Sequence, residues 1–215
     1  MKLVVKIGGS MLFPEKGPDG IYIKKLLPVL KSAKKENQLI VCVGAGKYFK
    51  NYAYRVREFV SGEELEWVLI DLLKANVTLF SKLLGMKPIY TLKDLDEKTS
   101  GVIGGIIPGR STDANAAYAA KVINAGIFIK LTDVNGIYDR DPKKYAHAKL
   151  LKKIHFGDLG RYAVNSSPGN YGVLDKTAME YIAGCRIRTV VASGKNPENI
   201  LKIIGGKHIG TEISA

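Results

Sequence analysis

The stretch Leu3-Val4-Val5-Lys6-Ile7-Gly8-Gly9-Ser10 joins a β-branched run to a glycine-rich turn, and Ile40-Val41-Cys42-Val43-Gly44-Ala45-Gly46-Lys47 repeats that arrangement. Each run has the length and composition of a buried strand. Glycine lets the backbone approach an anion closely, so that consecutive N–H groups point at phosphate oxygens. A nearby lysine adds the positive charge that phosphate recognition uses. Two such loops predict that two phosphates are handled together, one from a donor and one from an acceptor, as a small-molecule kinase requires.

Strand-length apolar runs alternate with helical patterns along the rest of the chain. This alternation predicts an α/β fold whose largely parallel sheet is covered on both faces. Ligands of such sheets bind at the carboxyl ends of the strands, where both glycine loops fall. We expect strands at 3–7, 39–43, 89–91, 102–103, 127–131 and 187–191, helices at 21–36, 48–59, 63–84, 113–125 (capped by Thr112 or Asp113), 172–183 and 197–204, and a loop, with a possible lid, at 139–172.

Length and composition indicate one ordinary globular domain over residues 1–215, with 46% hydrophobic and 25% charged residues. The apolar runs are shorter than the ~18 residues of a membrane helix, so we expect no membrane partner. The chain enters a strand at once and shows no secretory pattern, which predicts a cytoplasmic location. Cys42 and Cys185 lie in or beside apolar runs, and we expect both to be buried, without a disulfide or a metal site.

The net charge of +13 raises the question of a nucleic-acid partner. No aromatic ladder or helix-turn-helix pattern accompanies the lysines, which are spread along the chain. We therefore interpret them as a solvated surface, suited to phosphorylated metabolites, and expect no nucleic-acid binding.

Three further motifs combine charged groups with turns. Arg110-Ser111-Thr112 precedes a predicted helix, and either grips a phosphate or is a plain turn with a helix cap. The segment from Thr132 to Lys143 places carboxylates after a strand, where they can orient lysines, and it includes an aromatic wall for a nucleobase. Asp175-Lys176 opens another predicted helix; taken alone, this pair is typical of a surface.

In this order and at these separations, the motifs resemble the amino acid kinase family across essentially the whole chain, with the archaeal type of uridylate kinase as the nearest branch. The resemblance implies a three-layer α/β/α sandwich with a central, mainly parallel sheet. It implies transfer of the ATP γ-phosphate to UMP, with Mg²⁺ arriving with the nucleotide and no covalent enzyme intermediate. It also implies a homo-oligomer, a hexamer in that branch, with the acceptor mainly in the N-terminal half and ATP mainly in the C-terminal half.

Carried onto this sequence, the resemblance implies three sets of site residues. The catalytic residues are Lys6, Asp133, Asp175 and Lys176. ATP contacts Lys6, Gly8, Gly9, Ser10, Thr132, Asp133, Tyr138, Asp141 and Lys143, and the acceptor contacts Gly44, Ala45, Gly46, Lys50, Glu66, Gly105, Arg110 and Thr112.

Other acceptors remain open because the sequence departs from the uridylate kinase pattern. Ala45 and Leu69 stand where glycines are usual, Lys50 replaces an arginine, Glu66 replaces an aspartate, and Lys176 is more typical of carboxylate kinases. The alternatives are a family member that phosphorylates a carboxylate, a carbamate or another phosphomonoester, such as aminomethylfuran phosphate, or a nucleotide-binding relative without catalysis.

Overall fold

The computed structural model describes residues 1–162 and 173–215 and contains one eight-stranded sheet, in the order β3-β4-β2-β1-β5-β7-β8-β6. Every neighbouring pair is parallel except β7 and β8, which run antiparallel. The α/β fold with a mainly parallel sheet is therefore confirmed. The strands are β1 (Lys2–Ile7), β2 (Gln38–Val43), β3 (Pro88–Ile89), β4 (Gly101–Ile103), β5 (Ile127–Thr132), β6 (Lys153–His155), β7 (Thr189–Ser193) and β8 (Thr211–Ser214).

Helices cover both faces of this sheet, because the central strands are apolar on both sides. One face packs against α1, α2, α4 and α7, and the other against α5 and α6. The helices are α1 (Gly9–Leu12), α2 (Gly20–Glu36), α3 (Gly46–Val56), α4 (Gly62–Leu84), α5 (Thr112–Val122), α6 (Lys176–Gly184) and α7 (Asn199–Ile204), with short 3₁₀ turns at Leu92–Asp94 and Phe156–Tyr162.

The starts of α5 and α6 bear directly on the site. The N-cap of α5 is Ser111, whose side chain accepts a hydrogen bond from the backbone N–H of Ala114, so the predicted cap at Thr112 or Asp113 was wrong by one or two residues. A serine hydroxyl fills that role, which leaves both following side chains available to other contacts. Asp175 caps α6 in the same way, through the N–H of Ala178.

Residues 153–162 form regular secondary structure in the stretch where a loop was expected. They comprise β6 and the 3₁₀ turn at Phe156–Tyr162, and β8 extends the sheet beyond the expected strands. These strands were missed because each is only three or four residues long and has charged or polar neighbours. The remainder of the suggested lid, and the predicted helix start at Gly172, lie outside the described residues.

The burial of the two cysteines and the membrane-spanning potential of the helices were also predicted from sequence. Cys42 is fully buried in β2, as predicted. Cys185 is exposed at the end of α6, because it precedes the next apolar run rather than lying within it. None of the helices in the described parts of the chain combines the length and apolar composition needed to cross a bilayer.

Candidate active site

The two glycine-rich loops pack directly against each other. A Cβ atom on Gly9 would lie 2.2 Å from the backbone nitrogen of Gly46 and 2.7 Å from the carbonyl carbon of Gly44. Gly46 itself has a φ of +80°, and a Cβ there would lie 2.2 Å from the carbonyl oxygen of Phe13. Only glycine fits such close backbone approach. The two loops therefore form one continuous glycine-lined floor, where donor and acceptor phosphates can approach each other.

Two buried lysines lie side by side above this floor. Lys6 of β1 and Lys130 of β5 are paired in register on parallel strands. Because side chains alternate along a strand, both point to the face that α5 and α6 cover. Their exposed fractions are only 6% and 4%. Two ammonium groups in such a place require a counter-charge.

Asp113, in the first turn of α5, supplies that counter-charge. Its Oδ1 lies 3.0 Å from Nζ of Lys6, and its Oδ2 accepts a hydrogen bond of 2.5 Å from Nζ of Lys130. Burial acts to raise the pKa of Asp113, but the attraction of Lys130 and Lys6 outweighs it and holds the pKa below its ordinary value. Asp113 therefore stays ionised and bridges the two lysines.

Lys130 lines the cavity but is absent from the site residues predicted from sequence, as are Asp113 and Lys47. Its ammonium also donates a hydrogen bond to the carbonyl of Val173. Burial lowers the pKa of Lys130 to about 8, although Asp113 acts in the opposite direction. The signal was present in Ile127-Phe128-Ile129-Lys130-Leu131, where one lysine interrupts an apolar strand. A charged residue in a buried strand needs a partner, and here the partner belongs to the site.

These groups open into a cavity of about 690 Å³ at the carboxyl ends of β1, β2 and β5. The cavity is strongly positive, because five lysines line it against three carboxylates. The lysines are Lys6, Lys47, Lys50, Lys130 and Lys143, and the carboxylates are Asp113, Asp133 and Asp141. Such a charge balance suits a ligand that brings several negative charges of its own.

Asp133 and Lys143, which both line the cavity, form an ion pair. Nζ of Lys143 lies 2.6 Å from Oδ2 of Asp133, and the hydroxyl of Thr132 donates to Oδ1 of the same carboxylate. Partial burial tends to raise the pKa of Asp133, but the hydrogen bond and charge of Lys143 hold it below the ordinary value. The side chain of Asp141 accepts the backbone N–H of Lys143 and so shapes the turn.

The cavity brings together most of the residues predicted from sequence. Those that line it are Lys6, Gly8, Gly9, Ser10, Gly44, Ala45, Gly46, Lys50, Thr112, Thr132, Asp133, Asp141 and Lys143. Those that do not are Glu66, Gly105, Arg110, Tyr138, Asp175 and Lys176.

The predicted residues outside the lining make other contacts. Lys176 is 73% exposed and lies 3.9 Å from Glu180, one turn along α6. Gly105 packs near Leu73, and Tyr138 forms an isolated bridge with Leu150.

Asp175 and Glu66 each hold the segment before α5. Asp175 accepts a hydrogen bond of 2.5 Å from the hydroxyl of Ser111, and Glu66 accepts one from the backbone N–H of Gly109.

The described residues contain no group of three or more histidine, cysteine, aspartate or glutamate side chains placed to hold a metal ion together. Asp133 and Asp141 are carboxylates that line the cavity and contact Lys143. Mg²⁺ that arrives bound to nucleotide phosphates needs only one or two protein carboxylates, and these two are of the type it binds.

Comparisons with known proteins agree with this geometry. Residues 1–193 match the amino acid kinase family. A uridylate kinase of Methanobrevibacter smithii is 35% identical, and one of Thermococcus kodakarensis is 33% identical, each alignment covering 99% of both chains. The crystal structure of uridylate kinase from Archaeoglobus fulgidus superposes with a TM-score of 0.82 at 30% identity and covers both chains completely. Because the family match covers residues 1–193 and these relatives align over nearly the full length, the chain belongs to the amino acid kinase family.

Proposed function

We propose that this protein is a nucleoside monophosphate kinase that transfers the γ-phosphate of ATP to UMP. The observation that supports this most directly is the bridge from Lys6 through Asp113 to Lys130, set above two glycine loops that meet. The choice of UMP rests on relatives described as uridylate kinases, at 35% and 33% identity over 99% of the chain.

The chemistry needs little from the protein beyond positioning and charge neutralisation. A phosphate oxygen of the acceptor attacks the γ-phosphorus of ATP, while the bond from that phosphorus to the β–γ bridging oxygen breaks. The electron pair of that bond leaves with ADP. Lys6 and Lys130 face the cavity with their ammonium groups, and they neutralise the charge on the phosphoryl group as it moves. Asp113 takes no part in bond making; it favours the charged form of Lys130 and orients both ammonium groups through its two oxygens.

ATP binds at one end of the cavity and the acceptor at the other. The first glycine loop, Thr132, Asp133, Asp141 and Lys143 form the donor end, where ATP binds with Mg²⁺ supplied by the nucleotide. The second glycine loop, Lys50 and Thr112 form the acceptor end. This arrangement agrees with an acceptor held mainly by the N-terminal half of a single domain and ATP held mainly by the C-terminal half.

The remaining predicted roles stay predictions. Lys176 and Tyr138 reach the substrates only if their side chains or neighbouring segments move on binding. Glu66 and Gly105 are absent from the cavity lining and would reach the acceptor only after a similar movement. Asp175 faces Lys130 closely enough to favour its charged form, so that it contributes to orienting that lysine. We further propose a cytoplasmic homo-oligomer, a hexamer as in the uridylate kinases that the sequence resembles.

The test is ADP release from Mg-ATP by the purified protein with UMP, compared with CMP, acetylglutamate, carbamate and aminomethylfuran phosphate. We expect turnover with UMP, and we expect Lys6→Met to abolish it while Lys31→Met, an exposed lysine on α2, leaves it unchanged. Turnover with another acceptor alone would reject UMP but keep phosphotransfer. Tight ATP binding without turnover on any acceptor would indicate a non-catalytic relative.

A further inference from the structure

Arg110 is held in an aromatic notch between α5 and α6. Its guanidinium carbon lies 5.3 Å from the ring centre of Tyr118 and 5.7 Å from that of Tyr181. Nη2 donates a hydrogen bond of 2.9 Å to the hydroxyl of Tyr181. The two rings also contact each other edge to face, with their centres 5.6 Å apart. A planar cation with five donors can stack between two rings and donate to a hydroxyl at the same time, a geometry that the ammonium of a lysine does not reproduce.

The residues on either side of Arg110 are tied to other helices. The backbone N–H of Gly109 donates to the carboxylate of Glu66 on α4. The hydroxyl of Ser111 donates to Asp175, the N-cap of α6. Residues 109–111, which we call the brace, therefore connect to α4, to the α5–α6 notch and to the start of α6 through three successive residues.

The brace lies just before Asp113 in sequence, and Asp113 bridges Lys6 and Lys130. Ser111 caps α5, and Asp113 lies two residues later in the first turn of that helix. Because the first turn is fixed by its cap, the direction of the Asp113 carboxylate depends on where the brace holds Ser111. That direction in turn sets the contacts of 3.0 Å and 2.5 Å to Lys6 and Lys130.

We propose that Arg110 is a positioning residue, which acts through the brace to hold Asp113 between Lys6 and Lys130. The sequence predicted instead that Arg110 contacts the acceptor. In the structure its guanidinium lies outside the cavity lining, and its Nη1 is buried without a hydrogen-bond partner among the described residues. The proposal relies on the proposed function only in assigning the two lysines to phosphoryl transfer.

Tyr181→Phe tests the brace without touching the cavity, because it removes only the hydroxyl that accepts from Arg110. The matched control is Tyr90→Phe, which removes a hydroxyl bonded at 2.6 Å to Thr78 on the surface of α4. We expect Tyr181→Phe to lower kcat by about 5- to 10-fold with both KM values within about twofold of wild type, which is the signature of a loss confined to the transition state. Tyr90→Phe is expected to match wild type.

Arg110→Ala and Arg110→Lys separate the two roles of the arginine. The brace predicts that both lower kcat and that lysine gives no rescue, because it lacks the planar donor set. A raised acceptor KM with unchanged kcat in Arg110→Ala, together with a wild-type Tyr181→Phe, would overturn the proposal and assign Arg110 to the acceptor.

A second readout needs no turnover. NMR titration of the lysine side chains in the substrate-free protein follows Lys130 directly. Since Asp113 raises the pKa of Lys130, a loosened brace in Tyr181→Phe is expected to move that titration to lower pH, and Tyr90→Phe is expected to leave it in place. An unchanged Lys130 titration in Tyr181→Phe would refute the brace. Absence of UMP turnover by the wild-type protein would reject the proposed function alone.

Discussion

Asp113→Asn removes the charge that bridges Lys6 and Lys130 and keeps the shape of the side chain. The carboxylate is 17% exposed and contacts both ammonium groups. Breaking a buried ion pair by removing one partner ordinarily costs about 3–5 kcal/mol. Here the part of the cost due to Lys130 has an upper limit, because Lys130 can lose its proton instead of remaining an unpaired cation.

The limit follows from the pKa of Lys130, which falls from about 10.4 in an unfolded chain to about 8 in the folded protein. Keeping this lysine protonated in the wild type already costs about 3 kcal/mol. At pH 7, one unit below its folded pKa, deprotonating Lys130 adds only about 1 kcal/mol to that cost, so the part of the variant's penalty due to this lysine cannot exceed about 1 kcal/mol there. At pH 6, two units below the folded pKa, the part of the penalty due to Lys130 can reach about 3 kcal/mol.

The sign of the pH dependence is opposite to that of an ordinary ion pair. The folded pKa of Lys130 lies below the unfolded value, so the unfolded state binds more protons between about pH 8 and 10.4, and stability from this group rises with pH across that window. By pH 9 Lys130 is largely neutral in the wild type as well. The part of the variant's penalty due to this lysine then approaches zero.

The assay is urea unfolding at pH 6, 7 and 9 for wild type, Asp113→Asn and Asp71→Asn. Asp71 forms an exposed pair at 2.7 Å with Lys74, so its variant is expected to lose less than about 1 kcal/mol at every pH. Asp113→Asn should lose most at pH 6 and least at pH 9. Its kcat should fall by roughly 100-fold, as when one transition-state donor is lost. A penalty independent of pH, or one that grows towards pH 9, would refute the bridge.

Three further predictions test the floor, the donor end and the thiols. Gly9→Ala should unfold or inactivate the protein, because its Cβ would meet backbone of the second loop at 2.2 Å, whereas Gly157→Ala, with open space around it, should match wild type in thermal melting and turnover. Lys143→Met removes a lysine at the donor end, so the KM for ATP should rise about tenfold with the acceptor KM little changed; an unaltered ATP KM would place ATP elsewhere. Burial raises the pKa of the Cys42 thiol to about 12, so Ellman's reagent at pH 8 should label Cys185 alone until urea is added, and two fast thiols in the native protein would contradict this burial.

Much of the fold was predictable because it depends on local pattern. Five-residue apolar runs ending in glycine specify β1, β2 and the loops that follow them, whatever the rest of the chain does. The short strands β6 and β8 were not predictable in this way. They form because Thr211 and its neighbours complete a ladder with β7, whose paired residues are 20 to 24 positions away along the chain, and with β6, whose paired residues are 59 positions away.

In the candidate site, too, some features follow from local sequence and others from long-range packing. The sequence alone determined that two glycine-rich loops follow parallel strands, since backbone freedom and strand composition are local properties. Only the tertiary structure placed Lys130 beside Lys6, because register between strands 120 residues apart cannot be deduced from either strand. The tertiary structure also turned Asp113 from a suspected cap into the bridge between these lysines, and it placed Arg110 among tyrosines rather than in the cavity. The sequence thus determined the kinds of groups at the site, and long-range packing decided which of them meet, because the energy of a buried charge depends on neighbours that the chain brings together only when it folds.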